Sequence, residues 1–389
     1  MNSKILNIVG LYLYKEIRTG GHRRYLELME GLAQKGHNVK ILINKDFVFP
    51  FQFAQPIPLS VKYKQGQNFP VSLVFKNVLF KNKKTITTNC LSTDWILIFS
   101  ETNLFAAHYL KKILQAKILY GHRSNTVQEA LQYIQENKGK PLKQFKFYLD
   151  YFKYLAYEHK INHYSDAIVF QSNFDKNDFI SRNSTAIKKS FVIGGHIGLP
   201  RYKSEYYNIN TSNEVKNLLF LGTTGPRKGL KYLLEALVIL KNKGIQNISL
   251  HVIGPGNIEP HVSFLKDNNL LNSVTFYGRV DNPFSFMKDN DLMIIPSLFD
   301  SYPDTVLESL HAGIPVIASS VGGIPEMLQY PELLFPPADS YAIADTIYKI
   351  VTDNEYYRYI RRLCAQRLPF FHFDWELKWE EVMKSFIKV

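Results

Sequence analysis

Short apolar runs alternate with longer amphipathic stretches along this chain, and their two periods separate its elements. Residues 5–9 form an apolar run of strand length. Thr19-Gly20-Gly21 reads as a turn, residues 25–33 carry apolar positions at helical spacing, and Gly36 closes that helix. Residues 39–43 give a second strand, and further strands are predicted at 95–99, 117–120 and 167–171. A long helical region covers 125–163. Residues 201–215 are polar without a period and read as a linker. The alternation then restarts, with strands at 217–221, 248–253, 274–276, 291–295 and 316–318 and a helix at 229–240. Residues 375–387 are amphipathic. Such alternation predicts an α/β chain with two doubly wound parallel sheets, one in each half.

Composition narrows the class. A chain of 389 residues has room for two domains, and 46% hydrophobic with 21% charged residues is a globular balance. Cys90 and Cys364 are the only cysteines, so no disulfide framework is expected and a reducing, cytoplasmic setting fits. Residues 1–15 lack a basic start and a small-residue cleavage site, so their apolar run reads as a strand rather than a signal peptide. No apolar stretch reaches the roughly 20 residues of a membrane helix. The net charge of +13 favours anionic partners. No RNA- or DNA-binding motif accompanies it, so no nucleic acid partner is expected.

The chemistry concentrates in residues 296–326, PSLFDSYPDTVLESLHAGIPVIASSVGGIPE. Pro303 suits a first helical turn, Gly313 suits the helix end, and Pro315 bars continuation. Asp300 and Glu308 therefore flank a helix N-terminus, whose free N–H groups and dipole favour an anion such as a pyrophosphate. The plainer roles are helix capping for Asp300 and a solvated helix face for Glu308. Residues 222–229, GTTGPRKG, follow a strand and precede a helix. Their glycines admit a ligand to the backbone, and Arg227 and Lys228 offer cations to a departing diphosphate. The phosphate-loop pattern ending in Lys-Ser/Thr is not met. Gly254-Pro255-Gly256 lacks the third glycine of a dinucleotide fingerprint, which disfavours hydride transfer.

This stretch resembles the signature of retaining glycosyltransferases of family 4, the glycosyl transferases group 1, which have the GT-B fold. The matching residues are an acid at 300, Glu308 after seven intervening residues, Gly313-Ile314-Pro315-Val316, and Gly322-Gly323 followed by Glu326. The resemblance implies two Rossmann-like doubly wound domains facing a central cleft. Residues 1–200 would be the acceptor-side domain, 201–215 the linker and 216–368 the nucleotide-sugar domain, with 369–389 crossing back to the first. It implies that Glu308 holds the ribose hydroxyls and Asp300 the hydroxyls of the donor sugar. Backbone N–H groups of Ser301 and Tyr302 would lie beside sugar or phosphate. Asp300 stands where the family has Glu, one methylene longer, which bears on donor preference and rate. Lys228 and Gly229 match the end of the family's Gly-Arg-Leu loop, whereas Thr223 replaces its Arg and Arg227 supplies the charge instead. By the same resemblance, Gly20 and Gly21 match a glycine-rich loop that admits phosphate, His122 lies near the donor sugar, and Arg279 stacks on the nucleobase. A lone histidine such as His122 is equally readable as structural, and Arg123 beside it is placed for an anionic group. Glu326 is either a ligand contact or a first-turn acid complementing the helix dipole.

The expected function is transfer of a sugar from a nucleotide-sugar donor, a UDP-sugar by family frequency, to a saccharide or lipid-linked acceptor with retention. No protein nucleophile is assigned. No His/Cys cluster at metal spacing occurs, and the family does without an essential metal, so no cofactor is expected. A non-catalytic nucleotide-sugar-binding partner subunit, motivated by Asp300 and Thr223, and a sugar-nucleotide epimerase are the alternatives. Residues 138–164 alternate lysines with aromatic rings near helical spacing, and residues 76–84 form a second basic patch. The first reads either as a helix at an anionic membrane surface, at the inner membrane face, or as a core-facing helix with a solvated basic face.

Overall fold

The computed structural model describes residues 4–17, 19–61, 71–198, 202–206 and 214–387. Its contacts divide the chain into two units. The first holds Met1–Asn125, Asp150–Ile193 and Asp374–Val389; the second holds Thr126–Leu149 and Gly194–Phe373.

In the first unit the strands are β1 Asn7–Tyr12, β2 Asn38–Asn44, β3 Gln55–Leu59, β4 Trp95–Ile98, β5 Lys117–His122, β6 Ala167–Phe170 and β7 Ser190–Val192. They form one parallel sheet in the order β3-β2-β1-β4-β5-β6-β7. In the second unit, β8 Asn217–Leu221, β9 Ser249–Ile253, β10 Val274–Gly278, β11 Leu292–Ile295, β12 Val316–Ser319 and β13 Leu334–Phe335 form a parallel sheet in the order β10-β9-β8-β11-β12-β13. Both are Rossmann-like sheets of an α/β chain. Their inner strands are buried throughout, as in Trp95–Ile98 and Leu292–Ile295. Burial on both faces is why these strands read as unbroken apolar runs.

The strands that the apolar pattern does not announce are edge strands. β3 carries Pro56 and Pro58, which an edge tolerates because no ladder N–H is demanded of them, and β13 has two residues. The helical region 125–163 is two helices, Thr126–Glu136 and Pro141–Tyr164, because Gly139 turns at φ +85° and Pro141 opens the second. Gly20 and Gly21 are not a turn ahead of the first helix but its opening residues. That helix runs Gly20–Gln34 from Thr19, whose Oγ1 accepts the His22 N–H at 3.2 Å.

Two further boundaries differ from the sequence reading. Residues 126–149 cluster with the second unit, and the changeover falls between Ile193 and Gly194 rather than at 201–215. Of that linker, residues 201 and 207–213 lie outside the described residues. The helix Trp375–Ser385 belongs to the first unit, where Trp375 and Trp379 are buried and Trp379 stacks on Phe99 at 5.2 Å. Lys35 ties its start to the first helix by a 2.5 Å bond to Asp374.

Candidate active site

In the second sheet, β8 and β11 are neighbours although β9 and β10 lie between them in sequence. Their carboxyl ends open where the strand order reverses, the position at which doubly wound sheets take ligands. β8 leads into residues 222–229 and β11 into 296–302, so the topology brings the two cations of one loop to the acid of the other. Lys228 Nζ donates to Asp300 Oδ2 at 2.5 Å. Arg227 Nη1 lies 3.5 Å from the same oxygen and donates to the Phe299 carbonyl at 3.1 Å. The Leu298 N–H donates to the Arg227 carbonyl at 2.8 Å and fixes the register of the two loops. Asp300 is only 8% exposed, and a carboxylate so buried needs the counter-charges it has here.

Two glycines permit this approach. Gly229 sits at φ +68°, and a Cβ there would lie 1.8 Å from the Pro296 carbonyl oxygen. Gly322 sits at φ +55°, and a Cβ there would lie 1.9 Å from the Asp300 carbonyl oxygen. A side chain at either position would drive its loop off the segment that carries the acid.

The helix Asp304–Ala312 begins directly after this segment, and no side chain caps its first amides. Among the described residues, Thr305 Oγ1 in its first turn and Ser297 Oγ are buried without a hydrogen-bond partner. Open amides, an orphan hydroxyl and two cations are the chemistry that holds an anion. Ser301 is buried and Tyr302 half-buried, next in line after Asp300. Glu308 is half-buried on the same helix, whose Val306, Leu307 and Leu310 pack inward. Glu326 is half-buried in the first turn of Ile324–Leu328, just beyond Gly323, whose N–H donates to the Asp300 carbonyl at 3.2 Å. Thr223 is exposed in the β8 loop, and Arg279 is exposed past the end of edge strand β10.

Sequence reasoning missed two partners. Glu129, in the helix Thr126–Glu136, places Oε1 3.3 Å from Arg227 Nε. Burial pushes its carboxyl up from the usual range, and the Arg227 charge opposes that shift. Nothing near Glu129 in sequence marks it, because the pairing joins distant segments. His261 holds the Thr224 carbonyl through Nε2 at 3.1 Å, and Thr224 Oγ1 donates to the Asn257 carbonyl at 3.3 Å. The only signal for that support was Gly254-Pro255-Gly256 just ahead of it.

The remaining candidates, Gly20, Gly21, His122 and Arg123, belong to the first unit. Gly20 is exposed and Gly21 half-buried at the helix start. His122 ends β5 at 2% exposure, its ring 4.8 Å from Phe170 and 5.7 Å from Phe179. Burial pushes its pKa down to about 4, so the ring is neutral, and Nδ1 is buried without a hydrogen-bond partner. That environment is one of packing rather than of an open sugar contact. Arg123 lies over the Phe99 ring at 5.3 Å. Both cysteines are buried and free. Among the described residues, no group of three or more His, Cys, Asp or Glu is gathered as a metal ion requires.

Comparison with known proteins agrees with this architecture. Residues 215–353 match the family described as Glycosyl transferases group 1. The capsular polysaccharide biosynthesis glycosyltransferase CapH of Staphylococcus aureus is 22% identical over 309 residues, covering 78% of this chain and 72% of that protein. Other curated relatives align over only 32% and 38% of their own length. Among solved structures, sucrose-phosphate synthase of Thermosynechococcus elongatus superposes with TM-score 0.75 at 18% identity, covering 97% of this chain and 98% of that one. Anabaena HepE in complex with UDP superposes with TM-score 0.71 at 15% identity, covering 98% and 100%. The fold is therefore that of GT-B glycosyltransferase structures.

Proposed function

We propose that this chain, whose residues 215–353 form a glycosyl transferases group 1 domain, is a glycosyltransferase acting in polysaccharide or glycolipid assembly. Its donor is a nucleotide sugar, and its acceptor a saccharide or a lipid-linked saccharide. The observation that carries this reading is the cluster of Lys228, Arg227 and Asp300 at the β8–β11 switch point, beside an uncapped helix start. The likeness to CapH and to HepE with bound UDP supports it and favours a UDP-sugar.

The chemistry follows from these residues. Charge develops on the diphosphate as the bond to the sugar breaks. Lys228, Arg227 and the amides opening Asp304–Ala312 meet that charge with donors already in place, the term that commonly dominates such catalysis. When the diphosphate takes the two cations, Asp300 is freed from Lys228 to accept from donor-sugar hydroxyls. Ser301 and Tyr302 offer their amides beside it. Glu308 accepts from the ribose hydroxyls, and Arg279 stacks on the base. Glu326 supports the Gly322-Gly323 turn that holds Asp300. Gly20 and Gly21 leave room for phosphate at a helix start, and His122 supports the β5 end as a neutral ring. Retention follows the family reading, with no protein nucleophile and no metal assigned to a step.

The test is a thermal-shift panel of UDP-, GDP-, ADP- and CDP-sugars on the wild type and Glu308→Ala. A ligand at about 100 times its dissociation constant adds roughly 2.7 kcal/mol of stability. The expected result is a shift with UDP-sugars that Glu308→Ala loses. No shift with any sugar nucleotide sinks the donor reading, and conversion of the sugar nucleotide without acceptor points to an epimerase.

A further inference from the structure

The second unit carries a groove that the donor chemistry does not use. It is bounded by the helix Leu230–Asn242, on which Tyr232 and Glu235 share a face, by Phe264 and Asn268 at the end of the helix Glu259–Asp267, and by residues 336–341. The hollow between them measures about 710 Å³, a size that takes a small ligand. A second hollow of about 700 Å³ shares Tyr232 and Phe264 with it and runs to Thr224-Gly225-Pro226 on the donor loop. All of these residues belong to the second unit.

The segment 336–341 is held under strain. Ala338, just after Pro336-Pro337, sits at φ +57°, a left-handed conformation that a residue with a Cβ rarely adopts. Strain of this kind gathers at ligand sites. Asp339 then caps the helix Ser340–Thr352, its Oδ1 accepting from the Ala342 N–H at 2.9 Å. The Ser340 hydroxyl donates to Glu235 Oε2 at 2.6 Å and ties the strained segment to the facing helix.

The lining identifies the class of ligand. Tyr232 and Phe264 are half-buried and Tyr341 is 72% exposed, so three aromatic rings border the space. Rings beside hydrogen-bonding groups suit a ligand with apolar C–H faces and a rim of hydroxyls. Glu235, Asp339 and Asn268 supply those groups. A carboxylate offers about four acceptor positions, so the bonds above leave capacity on both acids. The hollow beside 336–341 has two carboxylates and no cationic side chain in its lining, which refuses a polyanion. Lys231, 3.6 Å from Glu235, and the net charge of +13 oppose a polycation. A neutral saccharide chain meets all of these conditions.

We propose that this groove binds a neutral saccharide chain, the acceptor or its product, at a site separate from the donor cluster. Tyr232, Phe264 and Tyr341 stack on its sugar rings, and Glu235, Asp339 and Asn268 accept from its hydroxyls. The choice of a saccharide among neutral polar ligands rests on the transferase reading.

The experiment is titration calorimetry of the full chain with hexasaccharides of glucose, mannose and galactose, with and without UDP. Hexagalacturonic acid and hexalysine are the charged comparators. Tyr232→Ala/Tyr341→Ala is run beside Glu308→Ala and beside Phe370→Ala, which removes an exposed ring outside the groove. At least one neutral hexasaccharide is expected to bind whether or not UDP is present, and neither charged probe should. The double variant should bind about tenfold or more weakly, whereas Glu308→Ala and Phe370→Ala should bind normally. Far-ultraviolet dichroism and the nucleotide thermal shift of the double variant separate loss of the groove from loss of fold or of the donor site. Absence of neutral-saccharide binding, unchanged binding by the double variant, or tighter binding of a charged probe overturns the proposal. Loss of saccharide binding on adding UDP or in Glu308→Ala also overturns it, placing the saccharide at the donor site. A wild-type dimer in light scattering that Tyr232→Ala/Tyr341→Ala dissolves assigns the groove to a second copy and overturns it too. Saccharide binding without any nucleotide shift sinks the donor reading and leaves the groove standing; a nucleotide shift without saccharide binding sinks the groove alone.

Discussion

The two sheets share a topology and fill its reversal point with opposite chemistry. In the first unit the gap between β1 and β4 is closed by aromatic side chains. Tyr25 accepts the Leu11 N–H at 2.7 Å and donates to the Leu97 carbonyl at 2.8 Å, stitching the two strands together. Tyr12 stacks beside it at 6.5 Å, and Tyr14 and His22, stacked at 4.8 Å, pack against Tyr12. In the second unit the matching gap between β8 and β11 holds Lys228, Arg227 and Asp300. The aromatic plug ties its buried Tyr25 hydroxyl to both strands. An ionic cluster is held by counter-charges that an incoming diphosphate can replace. One reversal point stabilises a sheet; the other is equipped for charge.

The comparison breaks first at Lys228. Lys228→Ala is expected to lower turnover by about 10²–10³-fold, as loss of a preorganised donor to developing charge does. Steady-state sugar transfer, with circular dichroism to show that the fold survives, checks it; turnover within a factor of a few of wild type would remove the ionic cluster from the reaction.

The next effect lies in the first unit and depends on pH. His122 has a pKa of about 4 in the fold against an ordinary 6.5. The unfolded chain therefore binds the extra proton across that window, so the stability is present above pH 6.5 and lost as pH falls towards 4. The loss is on the order of 3 kcal/mol. Denaturant melts of the wild type and His122→Phe between those pH values should converge as acid is added. Parallel curves would show that the ring is not buried as a neutral base.

Tyr25→Phe sharpens the contrast from the stable side. It leaves the Leu11 N–H and the Leu97 carbonyl without their shared partner, at a cost of about 1–3 kcal/mol. Its nucleotide thermal shift should match that of the wild type, and a reduced shift would refute the division of labour. The smallest effect is expected at Glu129. Glu129→Gln keeps the shape but releases the Arg227 side chain from a charge partner, which for a half-exposed pair is worth about 1 kcal/mol or less. The Michaelis constant for the donor should move by a factor of a few with kcat nearly unchanged; a large fall in kcat would give Glu129 a larger part.

Much of this molecule was written locally. The inner strands are apolar runs because both of their faces are covered, and Gly313-Ile314-Pro315 ends a helix by backbone geometry that any reader of the chain can apply. The candidate acid and cations were legible because each sits in a short segment with its own glycines and prolines. Tertiary structure decided what those segments meet. Edge strands β3 and β13 escaped notice because one contains prolines and the other is two residues long. Glu129 escaped because its partner Arg227 is distant in sequence, and a lone acid on a helix resembles any solvated one. His122 at a strand end read as a neighbour of the donor sugar, and only its packing against Phe170 and Phe179 shows a buried, neutral ring. The lysine-rich stretch after Gly139 could have turned its rings inward or outward. Period and composition set where a stripe lies on a helix, and only the neighbours it packs against decide which side faces water.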